Sequence, residues 1–308
     1  MAENETQGYV SGFVSIVGRP NSGKSTLLNA LTGMKLAIVA PKPQTTRATV
    51  QGVVNLPQGQ IIFLDTPGIH RPDTLINRRM HDSVQAALEE PDMLLMVADA
   101  TRRFTDEDAE AVRMIAGART PVLLALNKID RIKNKGFLLE QIDRYRPLHD
   151  FAGYIPISAL TGDGLDILQE EILKLLPPGP ALFPPDYVTD QPERFLASEL
   201  IREKVLHHTR QEVPHAVAVM IEQWEDSARM TTIHAVILVE RDGQKAILIG
   251  RGGEMLKQIG TEARLEIEEM LGRKVFLQLF VKVRPGWRQD PRFLDAIDWR
   301  SMAGREVE

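Results

Sequence analysis

Hydrophobic and polar residues follow two different rhythms along the chain. Between residues 10 and 176, short and largely apolar runs at 13–17, 60–64, 92–98, 121–126 and 153–157 alternate with longer mixed stretches at 26–31, 74–89, 105–118, 135–149 and 163–175. Runs that are apolar at consecutive positions suit strands covered on both faces; the mixed stretches, with apolar residues three or four apart, suit helices. In the last of these, Leu165, Leu168, Ile172 and Leu176 share one face. With a further strand at 48–55, the alternation predicts an α/β domain whose mostly parallel sheet is covered on both sides.

Pro177-Pro178-Gly179-Pro180, followed by Pro184 and Pro185, ends any continuing helix and reads as a semi-rigid, extended connector. The expected division is a first domain over 1–176, a proline-rich linker over 177–192 and a second domain over 193–308. In the second domain, a helix at 194–209 turns Phe195, Leu196, Leu200 and Ile201 toward a core, and 216–223 and 232–240 are strand-like. Arg241-Asp242-Gly243-Gln244 then reads as a turn into a strand at 245–249, which Gly250 to Gly253 interrupts. Helices at 254–259 and 261–271 precede a strand at 274–283, so a small α+β domain with helices on one face of its sheet is expected.

Composition narrows the class. A chain of 308 residues, 43% hydrophobic and 26% charged, supports two globular cores rather than a fibre or a disordered tail. The formal charge of -5 does not announce a nucleic-acid partner, so any such partner has to be read from a local site. The absence of cysteine excludes disulfides and thiolate metal sites. Residues 1–8 lack a basic stretch followed by an apolar one, and no run approaches the length of a membrane span; a cytoplasmic protein is expected.

Candidate chemistry begins where the first strand gives way to the first helix, at Gly18-Arg19-Pro20-Asn21-Ser22-Gly23-Lys24-Ser25. The spacing is that of a phosphate loop: Gly18 and Gly23 let the backbone curl around a triphosphate, and Asn21, Ser22 and Thr26 lie along the same curve and the helix start. Lys24 reaches the β/γ oxygens, Ser25 offers a hydroxyl to Mg²⁺, and the helix adds the positive end of its dipole. Asn127-Lys128-Ile129-Asp130 ends another apolar strand on the same sheet edge. A carboxylate at Asp130 accepts from N1–H and the exocyclic amine of guanine, an arrangement adenine cannot satisfy. Asn127 would hold the loop and the N7 side, and the Lys128 stem would lie over the ring. Ser158-Ala159-Leu160 ends the next strand, where the Ala159 N–H would meet the guanine O6. These residues call for GTP and GDP as ligands.

Two further stretches complete a switch. In the proline-punctuated segment 34–47, a threonine can bring its hydroxyl to Mg²⁺ and its N–H to the γ-phosphate; Thr46, followed by Arg47, is preferred, with Thr45 as the alternative. Asp65-Thr66-Pro67-Gly68 follows the strand at 60–64; Asp65 would hold a Mg²⁺-bound water and the Gly68 N–H would contact the γ-phosphate. Ile69 stands where many GTPases carry a water-orienting glutamine, so slow intrinsic hydrolysis is expected unless a group such as His70 substitutes. Lys24, Thr46, Gly68 and Asn21 are thus the candidate catalytic residues.

In the second domain, Gly250-Arg251-Gly252-Gly253 has the GxxG spacing with which a KH module clamps single-stranded RNA; otherwise it is a tight connection. Bases would lie across an apolar groove lined by Ile249, Met255, Ile259 and Ala263. Acidic and basic residues nearly balance over 201–300, but basic ones gather at Arg273, Lys274, Lys282, Arg284, Arg288 and Arg292. Trp287 among them either stacks a base or caps the domain end.

With these residues in place the chain resembles the Era family of bacterial GTPases over about residues 10–290. The resemblance rests on GRPNSGKST, the QTTR segment, DTPG followed by an apolar residue and histidine, NKID, SALTG, and GRGG ahead of IGTEAR and VKVRPGW. It implies a P-loop GTPase domain followed by a type II KH domain, binding near the 3′ end of 16S ribosomal RNA, and assistance in maturation of the small (30S) ribosomal subunit. It further implies a GTP form competent for RNA, a GDP form that releases it, hydrolysis stimulated by RNA, peripheral membrane association, and a monomer. Asn21 matches the residue with which related GTPases bind K⁺ against the phosphates. Two departures stand out: residues 293–308 run through Asp295, Trp299 and Arg300 instead of a short leucine-rich ending, and Gly252 stands where a lysine is common. The competing expectation is a nucleotide-regulated adaptor whose second domain binds a protein or a membrane.

Overall fold

Strands and helices alternate through the first part of the chain: β1 (Val10–Val17), α1 (Lys24–Thr32), β2 (Val50–Leu56), β3 (Gly59–Asp65), α2 (Leu75–Glu89), β4 (Met93–Asp99), α3 (Asp106–Ile115), β5 (Val122–Asn127), α4 (Gly136–Tyr145), β6 (Gly153–Pro156) and α5 (Leu165–Leu175). The computed structural model describes residues 8–42, 45–68, 74–134, 136–210 and 213–298; Ile69, His70, Trp299 and Arg300 lie outside them. The strands form one sheet in the order β2-β3-β1-β4-β5-β6, parallel except for the antiparallel pair β2 and β3.

Why the central strands read as unbroken apolar runs is visible in β4. Met93, Leu95 and Val97 enter one apolar cluster with Leu27, Leu28 and Leu31 of α1 and Leu168 and Ile172 of α5. Leu94, Met96 and Ala98 enter another with Ala111, Val112 and Ile115 of α3 and Tyr145 of α4. Side chains alternate across a strand, so burial on both faces demands an apolar residue at every position. Asp65, Asp99 and Asn127 fall at the carboxyl ends of β3, β4 and β5, and there the loops of the candidate site begin.

Residues 177–190 lie against this first unit. Gly179 N–H donates to the Tyr9 carbonyl at 3.1 Å and Ser11 Oγ to the Pro180 carbonyl at 2.6 Å. The buried Gln60 amide accepts from the Leu182 and Phe183 N–H groups at 2.8 and 2.9 Å and donates to the Phe183 carbonyl at 2.9 Å. Val53 N–H donates to the Val188 carbonyl at 2.7 Å, covering the open edge of β2.

The second unit contains α6 (Glu193–His208), β7 (Ala218–Asp226), β8 (Met230–Val239), α7 (Asp242–Ile249), α8 (Glu254–Leu271), β9 (Lys274–Val283) and α9 (Pro291–Ala296). Its sheet runs β7-β8-β9, with β7 and β8 antiparallel and β8 and β9 parallel. Two expectations need correction. Residues 245–249 are helical: Gln244 Oε1 accepts the Glu240 and Arg241 N–H groups at 2.9 and 3.1 Å, and only Gln244 and Leu248, four apart, are buried in α7. The four-residue apolar run 246–249 is equally compatible with either state, and the cap decides it. Residues 254–271 form one helix: Gly260 lies within α8 against Leu279 of β9, has no left-handed backbone, and does not end it.

Among the described residues, 38–42, 45 and 74–79, short excursions in the first half of the chain, also belong to the second unit. Ile38 and Ala40 are buried in its core with Leu200, Ile201 and Val205 of α6. His207 Nε2 lies 2.8 Å from the Val39 carbonyl, and the Arg202 guanidinium donates to the Thr45 carbonyl. Arg79 pairs with Asp295 at 2.8 Å, and Leu75 N–H donates to Gln289 Oε1 at 3.1 Å. The chain therefore passes from one unit to the other between Thr45 and Thr46.

Candidate functional site

The loop from Gly18 to Ser25 joins β1 to α1 and closes tightly on its neighbours. Gly23 has φ +102°, and a Cβ there would sit 2.2 Å from Asn127 Nδ2, so no other residue fits. Lys24 opens α1 with its side chain buried, and its ammonium donates to the carbonyls of Gly18 at 3.1 Å and Arg19 at 3.3 Å. Burial lowers the Lys24 pKa from its ordinary value, and Asp65 opposes part of that shift. An ammonium so desolvated at a helix start gains strongly from a phosphate anion. Thr26 follows in the first turn, and Ser22 is fully buried.

Three oxygens converge beside it. Ser25 Oγ donates to Asp65 Oδ2 at 2.7 Å and lies 2.7 Å from Thr46 Oγ1. Burial pushes the Asp65 carboxyl up to about 6, while Lys24 and the two hydroxyls pull it back. Asp65 Oδ1 is buried with no hydrogen-bond partner among the described residues. An orphaned carboxylate oxygen beside two hydroxyls is a hard-oxygen donor set, and it fits Mg²⁺, which takes a few protein oxygens and completes its shell with phosphate and water. Thr46 rather than Thr45 joins this group; Thr45 Oγ1 donates instead to Lys42 O at 2.6 Å. Gly68 lies against the same loop, where an added Cβ would come 3.0 Å from Pro20 Cγ.

The base loop is bonded to the phosphate loop. Asn127 Nδ2 donates to the Ser22 carbonyl at 2.9 Å, and Asn127 Oδ1 accepts from the N–H groups of Lys128 at 2.8 Å and Ala159 at 2.9 Å. The Ala159 N–H, expected to meet the guanine O6, donates here to Asn127 Oδ1. Asp130 Oδ1 accepts from Ser158 Oγ at 2.7 Å, which fixes the orientation of the carboxylate expected to read the base. Leu160 stands exposed beyond it. Lys128 Nζ sits 2.7 Å from both the Asn21 carbonyl and Asp99 Oδ2. Sequence reasoning missed Asp99 and Arg19. Arg19 is buried, with its Nε 3.1 Å from Asp108 Oδ1, and Asp99 ends β4 in register with Asn127 at the end of β5. A polar residue ending an apolar strand was the available signal for Asp99.

In the second unit the GxxG segment lies between α7 and α8, not after a strand. Gly250, Gly252 and Gly253 have φ of +72°, +60° and +85°. A Cβ on Gly250 would come 2.7 Å from Met255 Cβ, whereas Gly252 and Gly253 face open space at the start of α8. Arg251 and Gly252 are exposed; Ile249 and Met255 are half-buried. Ile259 and Ala263, expected in a base-binding groove, are fully buried core residues and offer no surface to a base. Trp287 is also fully buried, donating Nε1–H to the Ala216 carbonyl at 3.0 Å and meeting Phe293 edge to face, so it is the packed cap rather than a stacking platform. The basic patch is paired: Arg273 with Glu193 and Asp226, Lys274 with Glu268, Lys282 with Glu222, Arg284 with Asp290 and Arg288 with Glu240.

Comparison with known proteins agrees with this geometry. Residues 13–128 match the family described as 50S ribosome-binding GTPase, and residues 212–288 match the KH domain. The GTPase Era of Geobacter metallireducens is 48% identical over 293 residues, spanning 94% of this chain and 98% of that one. That of Syntrophus aciditrophicus is 49% identical over 288 residues, 93% of this chain and 94% of its own. Among solved structures, an Era in complex with MgGDPNP and nucleotides 1506–1542 of 16S ribosomal RNA is 43% identical with a TM-score of 0.91, covering 94% of this chain and 99% of that one. An Aquifex aeolicus Era variant bound to GDP and aluminium fluoride is 44% identical with a TM-score of 0.90 over the same shares.

Proposed function

The chain belongs to the Era family of GTPases, and from that premise we propose that its GTP-bound form grips single-stranded RNA at the 3′ end of 16S ribosomal RNA and that hydrolysis ends the grip. The hydrolysis itself converts GTP to GDP and phosphate. Lys24 neutralises charge on the β/γ oxygens, and the phosphate-loop N–H groups and that of Gly68 cradle the transferring group. Ser25, Thr46 and Asp65 would hold Mg²⁺, which when bound supplies further positive charge at the phosphates. Asp130, oriented by Ser158, accepts from the two guanine N–H donors.

The observation that carries the coupling is the path of the chain. Ile38 and Ala40 pack in the second unit's core, Thr45 is bonded to Arg202 there, and the next residue, Thr46, is bonded to Ser25 of the candidate metal site. A ligand that orders Thr46 therefore acts on a segment rooted in the RNA-binding unit. The GTPase domain is read as 1–176, the connector as 177–192 and the KH domain as 193–308. RNA contact falls to Gly250, Arg251, Gly252 and Gly253, with Ile249 and Met255 beside them. The surface cations that exchange their carboxylates for phosphates are Arg273, Lys274, Lys282, Arg284 and Arg288. Exposed ion pairs such as Arg273–Glu193 and Lys282–Glu222 stabilise little, so exchanging them costs little; the part-buried Arg288–Glu240 pair costs more to open.

The same reading extends to action on the small ribosomal subunit by a cytoplasmic monomer with peripheral membrane contact; no helix of the described residues is long and apolar enough to cross a membrane. Asn21, exposed on the phosphate loop, would hold K⁺ and lend charge in the absence of a water-orienting glutamine. The test is GTP hydrolysis with and without an RNA copying the 3′ end of 16S ribosomal RNA, in potassium and then in sodium. Stimulation by RNA and by potassium is expected; a rate indifferent to both removes the RNA-stimulated and potassium-assisted steps.

A further inference from the structure

Asp99 belongs to none of the sequence motifs, yet its carboxylate meets two of the loops they build. It closes β4 in parallel register with Asn127 at the end of β5, and its side chain is buried. Oδ1 accepts from Thr101 N–H at 3.0 Å and Thr101 Oγ1 at 2.6 Å, which fixes the carboxylate's orientation. Oδ2 accepts from Lys128 Nζ at 2.7 Å, with Arg19 Nη2 and Arg102 Nε each 3.9 Å away. The same Lys128 ammonium donates to the Asn21 carbonyl at 2.7 Å. Among the described residues, Asn21 and Lys128 are the two non-glycine positions with positive φ, +60° and +73°. Such a conformation is unfavourable for L side chains and persists where neighbours enforce it.

We infer that Asp99 is a positioning residue for the guanine nucleotide, acting through Lys128. Anchored between Asp99 and Asn21, the lysine stem is stretched along the base loop with its charge already compensated. Without the carboxylate, the ammonium loses its charged partner, and a turn toward another anion, such as the nucleotide's phosphates, would lift the stem from the base and release Asn21. Thr101 contributes by preventing the carboxylate from turning away.

The inference is tested by the affinity of the whole protein for a fluorescent GDP in Asp99→Ala, Lys128→Met and the double variant. Each single change should weaken binding about tenfold or more, as expected for a lost charged hydrogen bond. The double variant should bind as Lys128→Met does, because Asp99 has nothing left to act through. Asp99→Asn, still an acceptor for Lys128, should recover most of the loss, and GTP should remain preferred over ATP in all of them because Asp130 is untouched. Losses that multiply in the double variant, or an Asp99→Ala that binds GDP like the wild type, would overturn the inference. If Asp99→Ala does not fold, Thr101→Val and Asp99→Asn serve instead: each should weaken GDP binding a few fold with the unliganded melting temperature little changed, and unchanged affinity in both overturns it.

Discussion

The side-chain amide of Asn127 donates to the Ser22 carbonyl at 2.9 Å, so the loop proposed to read the base is fastened to the loop proposed to hold the phosphates. Asn127 also accepts two backbone N–H groups, from Lys128 and Ala159. Asn127→Ala would leave these buried groups unpaired, at about 1–3 kcal/mol each. GDP affinity measured by calorimetry should fall by about a hundredfold or more, because the base loop and the phosphate loop come unfastened together.

Lys24 is buried and bonded to carbonyls of its own loop, so its removal should spare the fold. Lys24→Ala is expected to keep the wild-type circular dichroism spectrum and to lose tight nucleotide binding and hydrolysis. A variant that still hydrolyses GTP at the wild-type rate would remove Lys24 from the catalytic group.

Ser25 touches both Asp65 and Thr46. Ser25→Ala takes away one hard oxygen and the donor that steadies the carboxylate. A chelator should accelerate the release of labelled GDP from the wild type, and release from this variant should be nearly insensitive to Mg²⁺.

Trp287 lies in the second unit's core with its indole N–H bonded to Ala216. Trp287→Ala should destabilise that unit by about 3–5 kcal/mol in denaturant unfolding. Trp287→Phe, which keeps a ring against Phe293, should cost less and leave RNA affinity unchanged at temperatures where the unit stays folded. A drop in RNA affinity without a drop in stability would restore the stacking role.

The first unit was legible because its strands are buried on both faces and its ligand loops sit at their ends; composition and spacing are then tightly constrained by packing. The side chains of Ser25, Thr46 and Asp65 meet, and Asn127 is bonded to Ser22. Misreadings arose where local sequence is ambiguous. The run at 245–249 is too short for periodicity to separate helix from strand, and its cap lies in Gln244. Ile259, Ala263 and Trp287 illustrate the same limit from another side: an apolar residue near a binding loop looks alike in sequence whether it lines a groove or fills a core. Asp99 escaped notice because its partner, Lys128, is 29 residues away, and a lone carboxylate after an apolar strand carries no spacing to recognise.

The central claim is that the guanine nucleotide decides whether the second unit holds RNA. It is tested most directly by the affinity of an RNA copying the 3′ end of 16S ribosomal RNA for the protein loaded with a non-hydrolysable GTP analogue or with GDP, at two salt concentrations, with Gly252→Asp as control. The account predicts tight binding with the analogue, weak binding with GDP, and loss of both in the variant. Equal affinity in the two nucleotide states would contradict it.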